Sequence, residues 1–323
     1  MPEQLAAVVP AIQPPYGTIA QSLERGRVVP FLGAGASLFD REPGVRFNPA
    51  KPEFLPTASE LSEALADDSS FPSSDPSERR DLAKVCSYYT DVSGRPNLRL
   101  RLRELLTPVA QVGPLHRMLA SVEAPQVIVT TNYDTLIEQA FDEKKKPYDL
   151  VIYPAEKKKD LANAVLWWRH GESKPEPIAY NELDIDLANT TVIFKMHGTT
   201  MSNTPAWDHF VITEEDYVEF LSRMTTSAAI PQLLLSHFQQ SSFLFLGYGL
   251  RDWNLRVLLK NLSKQLASRA GSMDDDEVPS WAIQRNPSEL ERRLWQRRNV
   301  NIFDADLEVF VAEVSKRLKR GEG

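Results

Sequence analysis

Five short apolar runs set the limits on what this chain can become: Val28 to Leu32, Val127 to Thr130, Val192 to Met196, Phe243 to Leu246 and Trp281 to Ile283. Each is rich in β-branched or aromatic residues, and none alternates cleanly with polar ones. That is the pattern of strands covered on both faces. Helical spacing recurs between them, in residues 134–141 and 233–238, and strand followed by helix, repeated, predicts an α/β fold with a Rossmann-like, doubly wound, mainly parallel sheet. Residues 301–303 are expected to add an edge strand before a helix over 307–318, and a short helix is expected over 17–25.

With 323 residues the chain is long enough for one large domain carrying an insertion. Residues 1–16, with a Pro14–Pro15 pair, read as an extended N-terminal arm, and 17–323 as the α/β domain. Two stretches fall outside the strand–helix rhythm. Residues from about 40 to 125 read as a helical insertion, with helices near 59–66, 77–90 and 97–107. Residues from about 144 to 190, which hold two lysine triplets and Trp167–Trp168, read as a surface excursion.

The net charge of -7 gives no global attraction to polyanions. Lys144 to Lys146, Lys157 to Lys159 and the group Arg292, Arg293, Arg297 and Arg298 read as solvated faces, so direct nucleic-acid binding is not expected. The single cysteine, Cys86, excludes an intrachain disulfide and a four-cysteine zinc site, and points to a reducing, cytoplasmic setting. No apolar run approaches the ~20 residues of a membrane helix, and the first residues lack a basic start leading into an apolar stretch. Neither membrane insertion nor secretion is expected.

Chemistry-bearing residues cluster where the runs end, which is where ligands bind in open α/β sheets. After the first run comes Gly33-Ala34-Gly35-Ala36-Ser37, either a tight strand-to-helix connection or a close approach to a phosphate. After the second comes Thr131-Asn132-Tyr133-Asp134, in which Asn132 offers an amide and Asp134 suits a helix cap. His197-Gly198 follows the third run, and His197 there reads either as a structural residue or as an acid or base near neutral pH. Gly247-Tyr248-Gly249 follows the fourth, and Arg251 beside Asp252 reads as a salt bridge.

In order and placement these motifs resemble the sirtuin-like superfamily, specifically its bacterial sirtuin-like NAD-hydrolase branch. Thr131 to Asp134 stand where sirtuins carry Gln-Asn-Ile-Asp, and Val211 to Tyr217 is similar to a signature of that branch. The resemblance implies that Gly33, Ala34, Gly35 and Ser37 surround the NAD diphosphate, and that Thr131, Asp134, Gly247, Tyr248 and Gly249 also line the NAD site. It implies catalytic roles for Asn132 and His197 beside the nicotinamide ribose. Sirtuin deacylases hold zinc with four cysteines; this chain has one, so no zinc module and no metal are expected.

Hydrolysis of NAD to nicotinamide and ADP-ribose is then the implied reaction, with cyclisation a minor variant and NAD depletion in antiviral defence the implied role. A homo-oligomer is expected, with a defence partner such as an ATP-driven DNA translocase or an Argonaute-like protein. The competing expectation is a non-catalytic NAD- or ADP-ribose-binding regulatory subunit. Protein deacylase or ADP-ribosyltransferase activity is disfavoured by the missing cysteines.

Overall fold

The computed structural model describes residues 13–39, 41, 44–107, 111–155, 161, 163–201, 204–225, 229–248 and 279–318. The chain opens with α1 (Tyr16–Glu24), β1 (Val28–Leu32) and a 3-10 turn (Ala34–Ser37). Four helices follow, α2 (Ala58–Asp68), α3 (Pro76–Arg79), α4 (Leu82–Ser93) and α5 (Arg95–Leu106), then α6 (Pro114–Ser121), β2 (Val127–Thr130) and α7 (Leu136–Glu143). Next come β3 (Asp149–Ile152), β4 (Ala164–Trp168), β5 (Glu176–Ala179), β6 (Val192–Lys195), and a small pair, β7 (Gly198–Thr199) and β8 (His209–Phe210). The last elements are α8 (Glu214–Thr225), α9 (Gln232–Phe238), β9 (Ser242–Leu246), β10 (Ser280–Gln284), α10 (Glu289–Gln296), β11 (Val300–Asp304) and α11 (Leu307–Leu318).

Nine strands form one sheet in the order β11-β10-β9-β1-β2-β6-β3-β4-β5. It is parallel from β11 through β3, and antiparallel only where β3, β4 and β5 pair. Neighbouring residues of each inner strand enter opposite layers, so both faces are apolar. Val29, Phe31, Val129 and Phe194 pack on one face with Phe220, Phe238 and Trp295 from α8, α9 and α10. Val28, Leu32, Ile128 and Ile193 pack on the other with Ile19, Leu115, Phe141 and Phe310 from α1, α6, α7 and α11. Each fully buried side chain of this kind contributes roughly 1.5–3 kcal/mol of transfer free energy, which fixes the register the strand ends depend on.

The insertion has its own core. Leu61, Leu65, Val85, Leu98, Leu102 and Leu105 bury one another, joined by Leu136, Phe210 and Ile212 from the α/β layers. The helix expected over 77–90 is two helices, α3 and α4, because Asp81 breaks the run and caps α4 by accepting the Lys84 N–H at 3.2 Å. α6, inside the stretch expected to be inserted, packs on the main sheet instead.

Residues 144–190 require a correction: they contain β3, β4 and β5, which widen the sheet rather than loop over its surface. Asp149 opens β3 because its carboxylate is consumed locally, accepting Trp167 Nε1 at 2.8 Å and the His170 N–H at 2.9 Å. The arm of residues 1–16 is described only from residue 13, and Lys157 to Lys159 lie outside the described residues.

Candidate functional site

β1 sits between β2 and β9 at the middle of the sheet, so the chain reverses its winding direction there. Loops on either side of such a switch point diverge and leave a crevice at the carboxyl ends of the strands. The crevice holds a cavity of about 310 Å³ lined by Ala34, Ser37, Thr131, Asn132, Asp134, His197, Gly247 and Tyr248. Four separate strand ends thus deliver their turns to one place. Gly33 and Gly35 do not line it, and Gly249, Arg251 and Asp252 lie outside the described residues.

Hydrogen bonds join the floor of this cavity into one unit. Asn132 Nδ2 donates to Gly33 O at 2.9 Å and to Ser37 Oγ at 3.0 Å. Ser37 Oγ in turn donates to Asp134 Oδ2 at 2.9 Å. Asp134 Oδ1 accepts the Leu136 N–H at 3.0 Å, so it serves the start of α7 from one position before the N-cap, Thr135. Both amide hydrogens of Asn132 are therefore committed, which orients its carbonyl oxygen as the group left to offer a ligand. Tyr248 OH donates to Leu32 O at 3.0 Å and accepts from Thr131 Oγ1 at 2.7 Å, pinning the β9 turn to the β2 turn.

The glycines are explained first by packing between loops. Gly247 has φ of +73°, and a Cβ there would lie 2.1 Å from Ala36 N. Gly35 donates its N–H to Gly247 O at 2.9 Å, and Gly33 donates to Leu246 O at 2.9 Å. The glycine-rich turn is thus held backbone against backbone by β9, a demand the sequence pattern could not separate from phosphate contact.

His197 hangs at the end of β6 between two aromatic rings, Tyr217 at 5.5 Å and Phe220 at 5.2 Å, both edge-on. Burial pushes its imidazole down to about 4, so it is neutral at pH 7 and a weaker base than the near-neutral one expected from sequence. Gly198 turns the chain into the β7–β8 hairpin with φ of +88°, and a Cβ there would lie 2.0 Å from His209 O.

The roof comes from the insertion: Leu55, Pro56, Leu61, Leu82 and Leu106 close the cavity from above. Ion pairs fasten it to the segment that follows His197. Arg95 pairs with Asp216 at 2.8 Å and donates to Phe210 O at 2.6 Å. Two turns further along α5, Arg103 pairs with Asp208 at 2.9 Å and donates to Met201 O at 2.8 Å. Near the glycine turn, Arg41 grips Glu60 of α2 and holds that carboxyl down to about 2.

A second cavity of about 360 Å³ opens beyond Gly247 and Tyr248, lined by Gly35, Gln284, Arg285 and Asp306 at the ends of β10 and β11. The two cavities share Gly247 and Tyr248 as a common wall.

Sequence reading missed Phe220, the leucine roof and the arginines of α5. Arg95, Arg99 and Arg103 do recur every fourth residue, the one legible sign that a face of α5 is committed to polar partners. Tyr217 was visible only as the end of the Val211 to Tyr217 segment. Among the described residues no group of three or more His, Cys, Asp or Glu could hold a metal, and no helix is long and apolar enough to cross a membrane.

Comparison with known proteins places the chain in a family. NAD(+) hydrolase ThsA of Acinetobacter baumannii (strain 532279) is 28% identical over 183 residues, 56% of this chain and 31% of that protein. Defense-associated sirtuin 2 of Bacillus subtilis is 20% identical over 290 residues, 89% of this chain and 24% of that protein. NAD(+) hydrolase ThsA of Cytobacillus dafuensis is 26% identical over 188 residues, 56% of this chain and 30% of that protein. The chain spans about a third or less of the length of these relatives. The family model described as SIR2-like domain matches residues 126–303, from the start of β2 to β11 and over half of the sequence. On that match, and on a parallel sheet whose strand ends assemble one crevice, the chain belongs to the SIR2-like family.

Proposed function

We propose that this chain cleaves the N-glycosidic bond of NAD, releasing nicotinamide and ADP-ribose, and that it acts as a NAD-depleting effector of prokaryotic antiviral defence. The observation that carries the reading is the convergence of Asn132 and His197, from two different strands, on one cavity. The relatives named NAD(+) hydrolase support it. An elongated dinucleotide also suits two chambers that meet at Gly247 and Tyr248.

In this reading the nicotinamide ribose lies over Asn132 and His197. The diphosphate passes Gly33, Ala34, Gly35 and Ser37, and the adenosine lies beyond Gly247, Tyr248 and Gly249. Nicotinamide in NAD is already cationic, so its bond to C1′ breaks with the electron pair going to the ring, which departs neutral. The ribose left behind carries oxocarbenium character, and the Asn132 carbonyl dipole faces it or orients the attacking water. Water adds its oxygen to C1′ and gives a proton to neutral His197, which passes it to solvent. The apolar roof excludes bulk water around this step. Cytoplasmic location, a homo-oligomeric state and control by a partner such as an ATP-driven DNA translocase or an Argonaute-like protein belong to the same proposal.

Purified protein incubated with NAD, alone and with candidate partners, should release nicotinamide and ADP-ribose in equal amounts. Asn132→Ala and His197→Ala should each slow release by on the order of 10²–10⁴-fold. ADP-ribose binding with no release under any activating condition would instead support the regulatory-subunit reading.

A further inference from the structure

Beneath the Thr131 to Asp134 turn lies a buried charge cluster that the proposed reaction does not touch. Lys195, the last residue of β6, is fully buried. Its ammonium donates to the Asp134 carbonyl oxygen and stands 3.1 Å from Glu138 Oε1 on α7. Glu138 is only 5% exposed. The third member, His116 on α6, is 1% exposed and has no partner at Nδ1. Burial drives its imidazole below the usual range, so it is neutral, and burial also pushes the Glu138 carboxyl up against the pull of Lys195.

A charge pair withdrawn this far from water is expensive, and apolar residues of similar volume usually hold a fold as well or better. Stability alone therefore does not account for Lys195. Its place in the hydrogen-bond scheme does. The carbonyl of Tyr133 is pinned from one side by the Thr200 N–H at 2.8 Å and Thr200 Oγ1 at 2.9 Å. The adjacent carbonyl, of Asp134, is pinned by Lys195. The side chain of that same Asp134 accepts from Ser37 Oγ, and Ser37 Oγ accepts from Asn132 Nδ2. Two neighbouring peptide groups are thus fixed immediately after the residue whose amide faces the cavity.

We infer that Lys195 is a positioning residue: balanced by Glu138, it fixes the Asp134 carbonyl and, through the Asp134–Ser37 bond, the Asn132 amide. The inference rests on the role of Asn132 in NAD cleavage proposed above, and its test separates the two.

Replacing the pair by Lys195→Met with Glu138→Met removes both charges at similar volume. The folded variant is expected to lose on the order of 100-fold in kcat for nicotinamide release while KM stays within about threefold, the signature of a misplaced group rather than lost binding. Lys195→Gln with Glu138→Gln keeps a neutral donor for Asp134 and should restore turnover to within about tenfold of the parent. Hydrogen exchange of the Asn132 side-chain amide reads positioning without any turnover, and should accelerate in the methionine pair and stay slow in the glutamine pair. A methionine pair with parental kcat or parental exchange overturns the inference, as does a folded glutamine pair as slow as the methionine pair. If the methionine pair does not fold, the glutamine pair decides: parental exchange supports positioning, whereas fast exchange or failure to fold overturns it. A parent chain that releases no nicotinamide counts against the reaction alone, because the exchange result still stands.

Discussion

Asn132 and Leu61 line the same cavity, and almost everything about how they are held differs. Asn132 belongs to a floor of strand-end turns in which side chains and backbones are joined by hydrogen bonds of 2.9–3.0 Å. A single added Cβ at Gly247 would there come within 2.1 Å of Ala36 N. Leu61 belongs to a roof of apolar side chains with its own core, tied to the floor through arginine pairs at its rim. Backbone-on-backbone contact has no slack, whereas a leucine surface can repack at modest cost. In the proposed reaction the floor accordingly sets the chemistry, and the roof sets access.

Gly247→Ala tests the rigidity of the floor and should have the largest effect. With φ of +73° and the Ala36 contact, it should cost about 3 kcal/mol or more and slow nicotinamide release over about 100-fold, read by thermal melting and turnover. Parental behaviour would show that the floor loops can part, and would erase the contrast with the roof.

Acid should then separate the two regions, because His116 and His197 sit on the floor side while residues 58–106 contain no histidine. His197 is held at about 4 against about 6.5 in an unfolded chain, so between those values the unfolded state binds more protons. Stability is therefore complete above about pH 6.5 and falls as pH drops toward 4, by up to about 3 kcal/mol for His197, with His116 acting in the same direction. Urea unfolding at stepped pH measures this, and His116→Leu should flatten part of the slope.

Arg103→Ala should loosen the roof. It leaves Asp208, whose side chain is 3% exposed, without its cation, at a cost of about 2 kcal/mol. Steady-state kinetics should show KM rising more than kcat falls. A drop confined to kcat would place the arginine rim in the chemistry and blur the division. Smallest of all, Arg169→Ala at the far edge of the sheet removes a stacking contact 3.8 Å from the Trp167 ring and an exposed pair with Glu176. It should change stability by under about 1 kcal/mol and leave turnover untouched.

The same division governs what could be read from sequence. Buried parallel strands announce themselves as apolar runs, so β1, β2, β6, β9, β10 and β11 were legible, and α11 was expected over the residues it occupies. The strand-end turns were legible with them, which is why Asn132, Asp134, His197 and Gly247 fall into one cavity. β3 and β5 were not, since one starts on a buried aspartate and the other is an exposed edge strand containing Pro177. The roof was illegible for a different reason. Leu61, Leu82 and Leu106 look like any leucines at helical spacing, and only tertiary packing decides that they face a cavity. The glycine turn was legible as a turn but not in its purpose, because loop packing and phosphate approach demand the same residue.

The decisive measurement is the position of ADP-ribose bound to the full chain. The ribose that carried nicotinamide should lie within hydrogen-bond distance of Asn132 and His197, beneath the leucine roof, with the diphosphate along Gly33 to Ser37 and the adenine beyond Gly247. ADP-ribose bound outside this crevice, or with that ribose turned away from both side chains, would contradict the proposed reaction.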